Sequence, residues 1–113
     1  MMSSLINFEK ANWRKEPALT KSDIVGIISE GTGLTKLETQ AVIDGFLATI
    51  GYALQQGDRV DLRGFGSFKT TERIARTAIN PKTGNKMEIP HRIAPVFKAS
   101  KDLRKFVNKN FKK

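Results

Sequence analysis

The spacing of hydrophobic positions divides this 113-residue chain into a helical first half and a β-rich second half. Thr20 with Asp23 three residues later is typical of a capped helix start, and residues 31–33, Gly-Thr-Gly, are typical of a helix end. Between them, three apolar residues follow the spacing of one helix face: Ile24, Ile27 and Ile28. The pattern predicts a short amphipathic helix.

A second, longer helix is predicted directly afterwards. Thr35 and Glu38 repeat the capping pattern, and Gly57 occupies the position where a left-handed residue ends a helix. The apolar stripe of this helix comprises Ile43, Phe46, Leu47, Ile50 and Leu54.

From Val60 onward the hydrophobic spacing changes to two. Val60 and Leu62 alternate with polar residues, residues 64–66 interrupt the alternation, and Phe68 resumes it. This arrangement predicts two strands joined by a tight β turn.

A longer β-ribbon is predicted next, with residues 69–78 and 86–92 on either side of a turn at 80–85. Pro81 fixes φ in that turn and Gly84 permits a positive φ.

A last short helix is predicted after Ser100, a good N-cap residue. Its apolar face comprises Leu103, Phe106 and Val107. The order of two helices, three strands and a helix predicts an α+β fold. We expect residues 1–19 to be a flexible N-terminal extension, 20–108 the folded domain with its arm at about 69–92, and 109–113 a basic tail.

The charge is unevenly distributed. The net charge is +9, but residues 1–58 carry five basic and seven acidic residues, while residues 59–113 carry fifteen and four. Such asymmetry suggests a scaffold in one half and a polyanion-binding surface in the other, with nucleic acid considered before an anionic membrane.

Several classes of function are disfavoured by the composition. No cysteine is present, which excludes disulfides and thiolate chemistry. His91 has no other metal ligand at suitable spacing, and Glu38 and Asp44 lie on different helix faces, so neither a metal site nor an enzyme is expected. No signal peptide or membrane span is evident, and we expect a soluble, cytoplasmic protein without cofactor or small-molecule substrate.

The predicted ribbon is rich in cations and poor in apolar residues, so it should project from the body and stay mobile until it binds a partner. Only Glu72 and Glu88 oppose its basic residues, which are Lys69, Arg73, Arg76, Lys82, Lys86 and Arg92. A proline at its tip is a possible apolar wedge between DNA base pairs. Turn chemistry alone favours the simpler role, in which Pro81 only shapes the turn.

Three segments, 64–68, 76–84 and 95–98, resemble the signature of the bacterial HU and integration host factor family. The similarity runs without a gap from about Thr20 to Asn108. It implies an intertwined dimer whose two arms enter the minor groove of duplex DNA, and a location in the nucleoid. The wedge mechanism is implied by this resemblance and not by the chemistry of the turn.

The resemblance also implies roles for individual residues. Pro81 corresponds to the intercalating residue, and Arg73, Arg76, Asn80, Lys82 and Lys86 flank it on the arm. Lys21, Lys98 and Lys101 match basic body positions that would contact phosphates. Ile79 departs from the family pattern, in which the residue before Asn80 is usually basic, and a modest loss of affinity is expected there.

The dimer is also favoured by the size of the body, which is too small to bury its aromatic residues well. A monomer with these residues in its own core is the alternative. For function, the first hypothesis is sequence-tolerant DNA bending by a homodimer. The second is a site-specific relative of integration host factor, which a heterodimer would suit. The third is a protein-interaction module using Leu5, Ile6, Phe8 and Trp13, and RNA binding also stays open.

Overall fold

The computed structural model describes residues 5–9, 13 and 18–111. The chain divides into two compact units, residues 1–51 and 52–113, and each is considered by itself. Within the described residues the elements are α1 Lys21–Thr32, α2 Lys36–Gln55, β1 Val60–Leu62, β2 Gly66–Arg73, β3 Arg76–Ile79, β4 Lys86–Ile89, β5 Arg92–Ala99 and α3 Lys101–Asn110. This order confirms the α+β prediction.

Both predicted capping boxes are present. The Thr20 N–H donates to Asp23 Oδ2 at 2.9 Å, and the Asp23 N–H donates to Thr20 Oγ1 at 3.3 Å. At α2, the Thr35 N–H donates to Glu38 Oε1 at 2.9 Å, and the Glu38 N–H donates to Thr35 Oγ1 at 3.0 Å. The backbone N–H of Thr35 and, to a smaller extent, its side chain lower the pKa of Glu38, because they favour the charged carboxylate. Each cap satisfies N–H groups that the first helical turn leaves unpaired.

Glycines in the left-handed conformation end the first two helices. Gly33 (φ 81°) donates its N–H to the Ser29 carbonyl at 3.0 Å. Gly57 (φ 84°) follows α2, where the Asp58 N–H reaches the Ala53 carbonyl at 2.9 Å. This confirms Gly57 as the residue that ends α2, in a Schellman-type arrangement.

Three strands form an antiparallel sheet in the order β1-β2-β5. The β1–β2 turn is tight, with the Phe65 N–H donating to the Leu62 carbonyl at 2.9 Å and Gly64 at φ 82°. The β2–β5 ladder runs from the pair of Gly66 with Ala99 to the pair of Arg73 with Arg92. The predicted turn at residues 64–66 is confirmed.

The predicted long ribbon is interrupted. The β2–β5 ladder ends at the Arg73–Arg92 pair, and a separate two-stranded ladder, β3–β4, runs from the Arg76–Ile89 pair to the tip. Between the ladders lie residues 74–75 and 90–91. Pro90 has no N–H to donate, which accounts for the loss of pairing on its strand. The first predicted ribbon strand is therefore divided between β2 and β3, whereas the second, 86–92, covers β4 and only the first residue of β5, whose residues 93–99 were not predicted to be a strand.

The strand β5 contains Pro95, a residue that central strands rarely tolerate. It pairs with Thr70 of β2, and β5 is an edge of the three-stranded sheet. A proline fits an edge strand because no further strand needs its N–H. The helix α3 then starts at the predicted N-cap, where Ser100 Oγ accepts the Leu103 N–H at 3.0 Å.

Little apolar surface is buried among the described residues. The buried apolar residues there are Val25 and Ile27, both in α1, and the fully buried polar residue is Thr39 in α2. Large apolar residues in α2 are half exposed, including Phe46 and Leu47. Near the N-terminus, Ile6 lies against Gly31, where an added Cβ would be 2.6 Å from Ile6 Cγ1.

We predict that Gly66→Ala destabilises the protein by about 1–3 kcal/mol, since overpacking of a filled space carries this cost. A Cβ at Gly66 would lie 2.5 Å from the Phe97 ring and 2.6 Å from the Lys98 carbonyl oxygen. Gly26→Ala in α1 is the matched control, because nothing lies within 4 Å of its added Cβ. Urea denaturation at one protein concentration measures both. Equal effects of the two substitutions would contradict this account of Gly66.

Candidate nucleic-acid interface

The turn at the tip of the β3–β4 ribbon satisfies its own polar groups. The Asn80 N–H donates to the Asn85 carbonyl at 2.9 Å, and the Gly84 N–H donates to the Asn80 carbonyl at 2.7 Å. Asn80 Oδ1 also accepts the Lys82 N–H at 2.9 Å. Gly84 has a φ of 75°, as its predicted role in the turn requires. Pro81 is exposed at the apex and carries no N–H that needs a partner.

Alternation along β2 and β5 separates charge from apolar surface, because side chains two positions apart share a face and cross-strand partners lie together. We define the cationic face by Ser67, Lys69, Thr71 and Arg73 of β2 with Arg92, Ala94, Val96 and Lys98 of β5. The opposite, mainly apolar face carries Phe68, Phe97, Pro95 and Ile93, together with Thr70 and, at its end, the acidic Glu72. The Phe68 and Phe97 rings lie 4.8 Å apart, centre to centre. Four of the predicted DNA-binding residues are thus brought to one face.

Two arginines lie directly opposite each other at the end of the cationic face. Arg73 and Arg92 are cross-strand partners and both are exposed. Like charges in this position destabilise a sheet. Their pairing has no benefit for folding, and it suits a surface that meets a polyanion.

A basic cavity lies beside the β1–β2 turn and the start of α3. Its lining contains one carboxylate, Asp61, and five cations, which are Arg59, Arg63, Lys98, Lys101 and Arg104. Asp61 Oδ1 accepts hydrogen bonds from Arg59 Nε and Ser67 Oγ, both at 2.7 Å. These bonds lower the pKa of Asp61, the bond from Arg59 contributing most. The first turn of α3 adds the positive end of a helix dipole.

Three of these cations were not identified from the sequence: Arg59, Arg63 and Arg104. Arg59, Asp61 and Arg63 follow one another in steps of two, so a strand at residues 60–62 places them on one side. That signal was available in the sequence. The contribution of Arg104 depends on where α3 starts relative to the turn, which only the fold determines.

Lys21 belongs to the other unit of the chain, formed by residues 1–51. Its Nζ is 2.6 Å from Asp44 Oδ1, and both side chains are about half exposed. Exposed pairs of this kind contribute little to stability. Lys21 would exchange this partner for a phosphate at small cost.

The acidic residues of the ribbon are engaged by neighbours. Glu72 Oε1 lies 2.6 Å from His91 Nε2, and Glu88 Oε1 accepts from Thr77 Oγ1 at 3.1 Å. His91 lies between the two ladders, its side chain is about half exposed, and Glu72 of β2 is its partner. Both carboxylates are held by residues on the facing side of the ribbon, and the arm cations Arg76, Lys82 and Lys86 stay exposed.

Within the described part of the chain, no group of three or more potential metal ligands is found. No helix in that part is sufficiently long and apolar to span a membrane. The predicted tail residues Lys112 and Lys113, and Pro17 in the extension, lie outside the described residues.

The chain is similar to known proteins over most of its length. Residues 19–108 match the family described as "Bacterial DNA-binding protein". The DNA-binding protein HU of Thermus thermophilus is 41% identical over 91 residues, which are 80% of this chain and 94% of the relative. The integration host factor subunit beta of Marinobacter nauticus is 38% identical over 84% of this chain and 98% of its own length.

A solved structure shares the fold. The Anabaena HU–DNA cocrystal structure superposes with a TM-score of 0.72 at 44% sequence identity, covering 78% of this chain and 96% of that protein. The family match over residues 19–108 includes both helices of the first half, the sheet, the ribbon and most of α3. The chain therefore belongs to the bacterial DNA-binding protein family that includes HU and integration host factor.

Proposed function

We propose that this protein is a nucleoid-associated architectural protein that bends duplex DNA with little sequence specificity. In this proposal the arms enter the minor groove and Pro81 intercalates. Family membership supports DNA binding and an architectural role. The observation that carries the bending step is Pro81, exposed at the apex of a turn whose hydrogen bonds are internal. Such a tip can enter a stack of bases without leaving polar groups unpaired.

Bending also needs a source of free energy. Unstacking one base step costs a few kcal/mol, and the bent duplex offsets this cost when more of it contacts basic protein surface. We assign this role to the cationic face and the basic cavity. Their phosphate contacts release counterions, so binding should weaken strongly as salt rises.

The residues divide by role in this proposal. Arg76, Lys82 and Lys86 contact the DNA along the arm, and Asn80 holds the turn while its Nδ2 group can donate to acceptors in the groove. Lys69, Arg73 and Arg92 contact DNA from the base of the arm. Phosphates farther along the duplex are contacted by the body residues Arg59, Arg63, Lys98, Lys101 and Arg104. Lys21 contributes after leaving Asp44.

We also propose a homodimer. Among the described residues, an apolar core consisting of Val25 and Ile27 is too small to stabilise a domain, while Phe46, Leu47 and Tyr52 of α2 are at least half exposed. Covering such surface with a second copy would remove it from water. A twofold dimer presents two arms, and two kinks then bend DNA in the same direction.

Two other functions make different predictions. A site-specific relative of integration host factor, alone or with a second type of subunit, would protect one discrete DNA site against excess competitor. A protein-interaction module would depend on the exposed residues Leu5, Phe8 and Trp13 and would lose its function when they are removed. The basic second half of the chain favours DNA bending over a protein-interaction module. A protein that bends DNA would be located in the nucleoid.

The first test measures bending with fluorophores at the two ends of a short duplex. We expect energy transfer to rise on binding of the wild-type protein and to be clearly lower with saturating Pro81→Ala. The ratio of bent to unbent complexes should fall tenfold for each ~1.4 kcal/mol by which the substitution weakens the wedge. Pro95→Ala is the matched control, since Pro95 lies in the edge strand β5, on the face opposite the cationic face and away from the tip. Binding without approach of the ends would refute the mechanism.

A second test concerns the basic cavity. We predict that Asp61→Asn strengthens DNA binding, because it removes the cavity's carboxylate and releases Arg59. If Arg59 gains one phosphate, the plot of log affinity against log salt steepens by about 0.9. Fluorescence anisotropy at several salt concentrations measures this slope. Asp58→Asn, outside the cavity lining, should leave it unchanged.

Asp61→Asn should also change how the stability of the fold depends on pH. The lowered pKa of Asp61 means that its hydrogen bonds stabilise the fold above the ordinary carboxyl pKa of about 4, and that this contribution is lost as pH falls through the lowered value. In Asp61→Asn the contribution is absent at every pH. Unfolding at neutral and acid pH should therefore differ less in the variant. An unchanged pH dependence would contradict the assignment.

A third test concerns the dimer. Sedimentation equilibrium should give a species of about twice the chain mass of 12.6 kDa. We predict that Phe46→Lys dissociates it and lowers the free energy of unfolding by about 3 kcal/mol, the scale for loss of a buried aromatic residue. Gln40→Lys, an exposed polar position on the same helix, is the control. A monomeric wild-type protein would overturn the proposal.

A further inference from the structure

Ile79 has no role in the function proposed above, although it lies next to the tip of the arm. It is the last residue of β3, pairs with Lys86 of β4, and its side chain is 65% exposed. One residue, Asn80, separates it from Pro81.

Ile79 contributes little to the packing of the ribbon itself. Alternation places it on the same face as Thr77, Lys86 and Glu88, and Thr77 Oγ1 donates to Glu88 at 3.1 Å. The ribbon's neighbouring apolar cross-strand pair, Ala78 with Met87, lies on the opposite face. Ile79 is therefore an apolar residue among polar neighbours. Its apolar surface becomes favourable only when a partner covers it.

The position relative to Pro81 indicates which part of DNA that partner is. Only Asn80 separates Ile79 from Pro81, and both residues are exposed, so the tip of the arm carries two exposed apolar side chains close together in the chain. An isoleucine has no favourable contact with a phosphate. The sugar C–H groups that line the groove are the apolar surface that such a tip meets, and the base edges lie beneath it.

The base edges of the minor groove differ in one group. A G·C pair presents the guanine N2 amino group, a donor, whereas A·T pairs present acceptors only. Ile79 has no atom that accepts a hydrogen bond, so an amino group beneath it would lose its water without gaining a partner. The contact of Ile79 with the groove is therefore more favourable at base pairs that lack the guanine amino group.

We propose that Ile79 is a specificity-determining residue that contacts the minor groove beside the step opened by Pro81 and disfavours base pairs carrying the guanine amino group. This inference rests on the proposed function, since it requires the arm tip to lie in the minor groove. Ile79 then gives an otherwise sequence-tolerant protein a preference for A·T base pairs at the kink.

The test compares a mixed-sequence duplex with the same duplex in which inosine replaces every guanine, which removes only the N2 amino group. We expect the wild-type protein to bind the inosine duplex about tenfold more tightly, as an unpaired buried donor implies. Ile79→Val and Ile79→Thr have nearly the same shape, but the threonine hydroxyl accepts a hydrogen bond from the amino group. The ratio of the two affinities should persist in Ile79→Val and fall towards one in Ile79→Thr.

Inosine also weakens base pairing, so the preference is assigned to Ile79 only from the difference between these two variants. Ile74→Thr, at a 79% exposed position outside the β3–β4 ladder, should keep the wild-type ratio. Equal ratios in Ile79→Val and Ile79→Thr would overturn this inference. If Pro81→Ala still reduced bending in that case, the proposed function would stand. If Pro81→Ala had no effect either, the proposed tip mechanism would fall with it.

Discussion

The antiparallel pairing of β2 with β5 is the constraint on which the rest of the second half depends. Side chains alternate between two faces with a period of two, so one register decides the position of every charge. In the observed register Lys69, Arg73, Arg92 and Lys98 share a face, and Phe68 meets Phe97 on the other. A shift by one residue would mix cations with aromatic rings. The observed register sets Phe68 against Phe97, and the contact between the two rings favours it.

The two ladders of the ribbon differ in how much apolar contact stabilises them. The β2–β5 ladder is anchored by aromatic contacts at one end, whereas the β3–β4 ladder has a single small apolar pair, Ala78 and Met87. A two-stranded ribbon of that kind is marginally stable alone. The break at Pro90 separates the anchored part from the arm. Within the arm, the tip turn is closed by its own hydrogen bonds, which do not depend on the body.

The electrostatic arrangement is unfavourable for the protein alone. Arg73 faces Arg92, and the basic cavity holds one carboxylate among five cations. Repulsion between these groups reduces stability, and a bound polyanion relieves it. The acidic residue Glu72 is drawn into a local pair with His91. In the proposed complex, DNA phosphates therefore reduce the repulsion between these cations, which destabilises the protein alone.

The sequence by itself determined where the first two helices begin and end, where α3 begins, and which cations the arm carries, because caps such as Thr20 and Ser100 and the left-handed Gly57 act within a few residues. The tertiary structure decided what depends on distant pairing. The strand β5 was not predicted because it contains Pro95. A proline is tolerated within a strand only at the edge of a sheet, and the edge position of β5 is known only from the fold. The basic cavity likewise required the β1–β2 turn to meet the start of α3. Sequence patterns report local backbone preference and the period of burial. Which charges become neighbours is set by register and chain reversal, and those are properties of the folded chain.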